Sequence, residues 1–162
     1  MSMATNETKD ELLVRKNIFV NASPERAFDV FTQKMATWWP LETHKIGKAK
    51  AIDARFEMKP GGRAYEIGED GTECTWGTVL VVDRPRRFVW RWELSATWQH
   101  DASIDTEIDV TFVAENGGTR VTLEHRKLGA YGDKALEMKK TLSGEGAWGK
   151  LLELFAKAAS AA

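Results

Sequence analysis

The chain has 162 residues, 43% of them hydrophobic, which matches the usual size of one domain with one core. Its 23 Lys and Arg balance 24 Asp and Glu for a net charge of −1, so no basic excess exists to neutralise a phosphate backbone. No apolar run approaches bilayer-spanning length, and the single cysteine, Cys74, has no partner for a disulfide or a Cys-based zinc site. Nucleic acid and membrane are therefore not expected partners, and a reducing cytoplasm is the expected location.

Residues 1–11 read as a polar, frayed tail and 12–160 as one domain. "VRKNIFV" alternates, with Val14, Ile18 and Val20 on one side, and predicts the first strand. In "NASPERAFDVF", Ser23 can cap a helix, Pro24 suits its first position and Glu25 its first turn. "TQKMATWW" predicts a second short helix ending at Pro40, and "LETHKIGKAKA" a loop. Adjacent Trp38 and Trp39 cannot share one face of a helix or strand. Trp38 is expected to pack and Trp39 to stand at the mouth of whatever cavity the fold leaves.

Alternation in "IDARFEM" places Ile52, Ala54, Phe56 and Met58 inward. "PGG" and "GEDG" are turns around the strand "RAYEI", and "TECTWGTVLVV" is a longer strand with Trp76 expected inward beside Leu80 and Val82. That last stretch is apolar on both faces, so its inward side stays open. "FVWRWEL" sets Phe88, Trp90, Trp92 and Leu94 on one face. "ENGG" joins two long alternating strands whose inward residues are Ile104, Ile108, Val110 and Phe112, then Val121, Leu123 and His125. From about Thr141, Trp148, Leu151, Leu152 and Phe155 recur at helical spacing, while Gly144, Gly146 and Gly149 predict a late start or a bend. The order of elements gives an α+β fold: one or two short helices after the first strand, an antiparallel sheet, and an amphipathic helix laid across its apolar concave face.

The segments "ASPERAFDVFT", "WWP", "PGGRAYE", "EDGTECTWGTVLVVDRPRRFVWRWE", "GGTRVTLEHRKL" and "GAWGKLLELF", in that order over residues 13–157, resemble the SRPBCC or START-like superfamily. Within it the chain is most similar to the group homologous to the C-terminal domain of the activator of heat-shock-protein-90 ATPase. The resemblance implies a helix-grip (Bet v 1-like) fold: about seven curved antiparallel strands wrapped on a long C-terminal helix around an apolar cavity. Members of the superfamily bind hydrophobic small molecules, and a few are cyclases or dehydratases. The chaperone activator carries a further N-terminal domain for which these 162 residues leave no room, which argues against a co-chaperone role.

No nucleophile elbow, zinc-protease pair or phosphate loop occurs. His44, His100 and His125 lie far apart, without metal-ligand spacing, so no metal or cofactor is expected. His125 is either a proton carrier facing a ligand or a satisfied core histidine. Glu66 is a general acid or base if buried alone, and otherwise an ion-paired or rim residue. The acidic row Asp101, Asp105, Glu107 and Asp109 reads as a solvated sheet face. Seven tryptophans are the compositional anomaly. The expected binding residues are Trp39, Trp76, Trp90, Trp92, Phe112, His125 and Trp148, lining a cavity for a hydrophobic small molecule. A cofactor-independent cyclase or dehydratase using the same cavity, and a chaperone-contacting module, are the alternatives.

Overall fold

Strand β1 (Val14–Val20) is followed directly by helix α1 (Pro24–Gln33). The Ser23 side chain accepts from the Arg26 amide, which satisfies one of the free N–H groups of the first turn, and Pro24 occupies a position where no N–H is needed. A single 3₁₀ turn, Met35–Thr37, ends this helical stretch just before the tryptophan pair. The computed structural model describes residues 12–160, so the expected N-terminal tail lies outside the described residues.

Six further strands follow: β2 (Ala51–Phe56), β3 (Arg63–Gly68), β4 (Glu73–Asp83), β5 (Arg87–Trp92), β6 (Thr106–Glu115) and β7 (Gly118–Arg126). They form one seven-stranded antiparallel sheet in the order β1-β7-β6-β5-β4-β3-β2. Every neighbour except β1 is sequential, so hairpins build the sheet and β1 closes it against β7. The β6–β7 turn has Asn116 at φ 48° and Gly117 at φ 81°, two left-handed residues whose twist matches that of the flanking strands. A 3₁₀ segment (Leu128–Lys134) leads to helix α2 (Ala135–Ser143), a break, and helix α3 (Trp148–Ser160). The expected bend at the glycines is present, with Gly146 at φ 80°, but the helical chain upstream of it starts at Ala135 rather than Thr141.

The concave face carries the core. Inward Val14, Val20, Ile108, Val110, Phe112, Val121 and Leu123 are all buried as alternation predicts. Two expectations fail, both at bulges. Between β2 and β3 the register shifts so that Ile52 is the extra residue, and Ile52 is 55% exposed instead of inward. Between β4 and β5 the shift falls at Leu80, which hands the inward position to fully buried Val79. The outer face is a charged lattice in which Asp109 binds Arg87 and Arg126, and Glu107 binds Arg126 and Lys127.

Candidate functional site

The sheet, the 38–50 loop and the α2–α3 elbow enclose a cavity of about 350 Å³, within the range that holds a small organic ligand. Its wall contains Trp39, Trp76, Trp92, Trp98 and Trp148. Five of the seven tryptophans therefore line it, and none of the seven phenylalanines does.

Three of these indoles are held from behind by their own N–H groups. Trp39 donates to the His44 carbonyl at 2.8 Å, Trp76 to the Glu66 carboxylate at 2.8 Å and Trp148 to His125 Nδ1 at 3.1 Å. Each bond fixes ring rotation, so the apolar faces of the rings are set before any ligand arrives. A third bulge contributes as well: Trp76 is the extra residue where β3 shifts register against β4, and a bulge redirects the side chain it carries. Gly77 permits this close approach, since a Cβ there would sit 1.7 Å from the Arg91 carbonyl oxygen.

The sequence-selected residues divide. Trp39, Trp76, Trp92 and Trp148 border the cavity; Trp90, Phe112 and His125 do not. Trp90 packs on Phe31, Phe56 and Phe88, and Phe112 on Phe28 and Phe31, deeper between sheet and helices. Trp38 turns away from the cavity, donating to the Val30 carbonyl at 3.1 Å and stacking near Phe31 and Phe155.

His125 is wholly buried and both its nitrogens are engaged. The indole of Trp148 can only donate, so Nδ1 accepts and the proton resides on Nε2, which donates to Thr106 Oγ1 at 2.9 Å. The Thr106 hydroxyl passes its own proton toward the Trp92 carbonyl at 2.8 Å. Burial pushes the imidazole pKa down to about 3, so His125 is a neutral strut behind Trp148 rather than a proton carrier. Beside it, burial pushes the Tyr131 hydroxyl up to about 12 while that hydroxyl donates to the Leu94 carbonyl at 2.7 Å.

Glu66 is neither ion-paired nor on the rim. Its carboxylate is buried and accepts the amides of Ile46 and Gly47 at 2.7 and 3.0 Å besides the Trp76 indole, which clamps the 38–50 loop onto the sheet. His100 binds buried Glu93 at 2.9 Å. Among the described residues no three His, Cys, Asp or Glu side chains are placed to hold a metal ion.

Two residues not expected from the sequence, His44 and Trp98, join Trp39 at the mouth. His44 bridges it: Nε2 donates to the Gly146 carbonyl in the elbow at 3.0 Å, which leaves Nδ1 to accept from the Thr43 hydroxyl at 2.7 Å. Its ring stands edge-on to Trp39. Loop residues of this kind have no periodicity to reveal them; the loop is placed by Glu66, twenty residues away in the chain from Ile46. Trp98 also borders the mouth, from the β5–β6 connection.

Solved structures similar to this chain agree with this architecture. One is an anthrahydroquino-gamma-pyrone synthase, Txn09, with 40% identity, a TM-score of 0.62, and coverage of 90% of this chain and 95% of that one. A second is the self-sacrificing resistance protein CalC from Micromonospora echinospora, with 34% identity, a TM-score of 0.64, and coverage of 91% and 93%. Protein NE0264 from Nitrosomonas europaea, 17% identical with a TM-score of 0.67 over 93% and 95%, shares the fold. A comparison with curated proteins found no match. No described helix is long and apolar enough to cross a membrane. The family model described as Activator of Hsp90 ATPase homolog 1-like protein matches residues 21–160, and the chain belongs to that family, within the SRPBCC superfamily.

Proposed function

We propose that this protein binds a flat, polycyclic aromatic small molecule in the tryptophan-lined cavity, without a cofactor. The observation that carries the reading is the segregation of aromatic types: five indoles and no phenyl ring border the space. Core filling alone has no need to sort tryptophan from phenylalanine, whereas an indole offers a wider π-face for a planar guest. The 40% identity to a synthase of a fused-ring product supports the same ligand class. Titration with 1,8-dihydroxyanthraquinone should quench intrinsic fluorescence saturably, and lauric acid should compete poorly. Equal binding of the fatty acid would replace the planar ligand with an aliphatic one; no saturable response to either would end the cavity reading.

A second reading, an enzyme of the cyclase kind, draws on the same relative and on His44. With His125 and Glu66 both committed to structure, His44 is the imidazole that faces the cavity. When the Thr43 hydroxyl turns to the Pro40 carbonyl, 3.5 Å away, the freed Nδ1 lone pair could take a proton from a phenol as that oxygen adds to a conjugated C=C, whose electron pair passes to the attached carbonyl oxygen. A His44→Gln variant that keeps anthraquinone affinity but loses turnover of a cyclisable substrate supports catalysis. Turnover retained by the variant removes His44 from it.

A further inference from the structure

Six of the seven tryptophans are no more than 5% exposed; Trp98 is 41% exposed, yet it borders the cavity. Its backbone lies at φ 61°, the left-handed region that a bulky side chain rarely enters. A tight turn imposes this conformation. The Trp98 amide donates to the Ser95 carbonyl at 2.9 Å, the Ser95 amide to the Gln99 carbonyl at 2.8 Å, and the Ser95 hydroxyl accepts from the amides of Thr97 and Gln99. All of these are bonds of backbone and Ser95, and none of them uses the indole. Glycine or asparagine would adopt the same φ with less strain. The indole itself joins none of the ring contacts that tie the other aromatic residues together among the described residues. The fold thus carries a strained backbone and a part-exposed indole that no other described aromatic ring contacts.

The polarity of the wall gives that ring a use. Trp39, Trp76, Trp92, Leu94 and Trp148 are buried, while Thr43 and Glu145 on the mouth side are exposed and polar. A planar ligand seated against the buried indoles would leave its outer face in water, unless something apolar covers it. We propose that Trp98 is a ligand-contacting residue that stacks on the outer face of a flat, fused-ring ligand at the mouth and selects for planarity. This rests on the cavity reading above. Conversion of an exposed ring into a covered one is also the step that makes binding of an aromatic guest favourable at an otherwise open rim.

The test uses the whole protein, 1,8-dihydroxyanthraquinone and lauric acid as probes, and the variants Trp98→Gly and Trp98→Phe. In the wild type, iodide should quench an emission component that is missing from Trp98→Gly and becomes shielded when the anthraquinone binds. Trp98→Gly should melt at or above the wild-type temperature, because backbone strain is relieved, while its dissociation constant for the anthraquinone rises about three- to tenfold and that for lauric acid does not. Trp98→Phe should recover most of the lost affinity. An anthraquinone affinity in Trp98→Gly within twofold of wild type overturns this inference alone. A Trp98→Gly protein that melts several degrees lower assigns the indole to the fold and overturns it too. A wild type that binds no anthraquinone overturns the cavity reading and takes this inference with it.

Discussion

The two ends of the concave face are built from similar amounts of aromatic carbon and behave differently. At the α1 end, Phe28, Phe31, Phe88, Phe112 and Phe155 interlock edge to face, with Phe31 touching Trp38, Trp90, Phe112 and Phe155 at centroid distances of 5.0 to 6.0 Å. At the elbow end, Trp39, Trp76, Trp92 and Trp148 surround empty space. Phenyl rings have no polar atom to anchor them, so they settle wherever packing density is highest and fill the gap. Trp39 touches the rings of Trp76 and Trp148 too, but the three N–H groups are tied to a carbonyl, a carboxylate and an imidazole, which fixes how each ring stands around the space. Ring orientation is thus set by packing among the phenyl rings of the filled end and, for three of the four indoles of the open end, by hydrogen bonds as well.

Cutting into the filled end tests whether it stands independently of the open one. Phe31→Ala should cost about 3–5 kcal/mol in urea unfolding through lost contacts and a cavity, while anthraquinone affinity stays within about twofold of wild type. Affinity falling in step with stability would mean that the two ends are not independent. A smaller effect comes from the strut behind Trp148. His125 refuses a proton in the fold until about pH 3, but the unfolded chain accepts one near pH 6.5. Its contribution is therefore complete above about pH 6.5 and declines as pH falls toward 3, reaching a loss of about 3 kcal/mol at pH 4.5. His125→Gln, which can still accept from Trp148 and donate to Thr106, should lack this part of the acid sensitivity. Parallel pH profiles for the two proteins would contradict the assignment.

A gentler perturbation lies in the wall of the open end. Glu66→Gln substitutes an amide N–H₂ for one of two oxygens that both face donors, at a cost of about 2 kcal/mol. Amide exchange at Ile46 and Gly47 should accelerate and probe binding should weaken as the 38–50 loop loses its clamp. Unchanged protection of those two amides would show that the loop is held by something else.

Legibility in the sequence followed the range of the interaction. Ser23-Pro24 and Asn116-Gly117 act on their own backbone, so the start of α1 and the β6–β7 hairpin were readable from a few residues. Alternation identified the inward side of β1, β5, β6 and β7, including that of His125. It failed at Ile52 and Leu80 because a bulge is a mismatch between two strands, and one strand alone does not reveal it. The site was half readable. Strand and helix periodicity pointed to Trp92 and Trp148, whereas His44 and Trp98 sit in connections whose positions are decided by Glu66 and Ser95. Inward-facing was also too coarse a criterion: Trp90 and Phe112 face the same way as Trp92 but lie where the core is filled.

The place of α3 in the chain order has a consequence for biosynthesis. Helix α3 follows all seven strands, and β1, the first of them, pairs only with β7. As the polypeptide leaves the ribosome, β2 to β6 can form their hairpins with only α1 at hand to cover part of their apolar side, because more than thirty residues separate Glu115, the end of β6, from Trp148, the start of α3. During that interval the growing chain presents an oily surface to every neighbour, and the hazard of clumping is greatest before the helix arrives to close it.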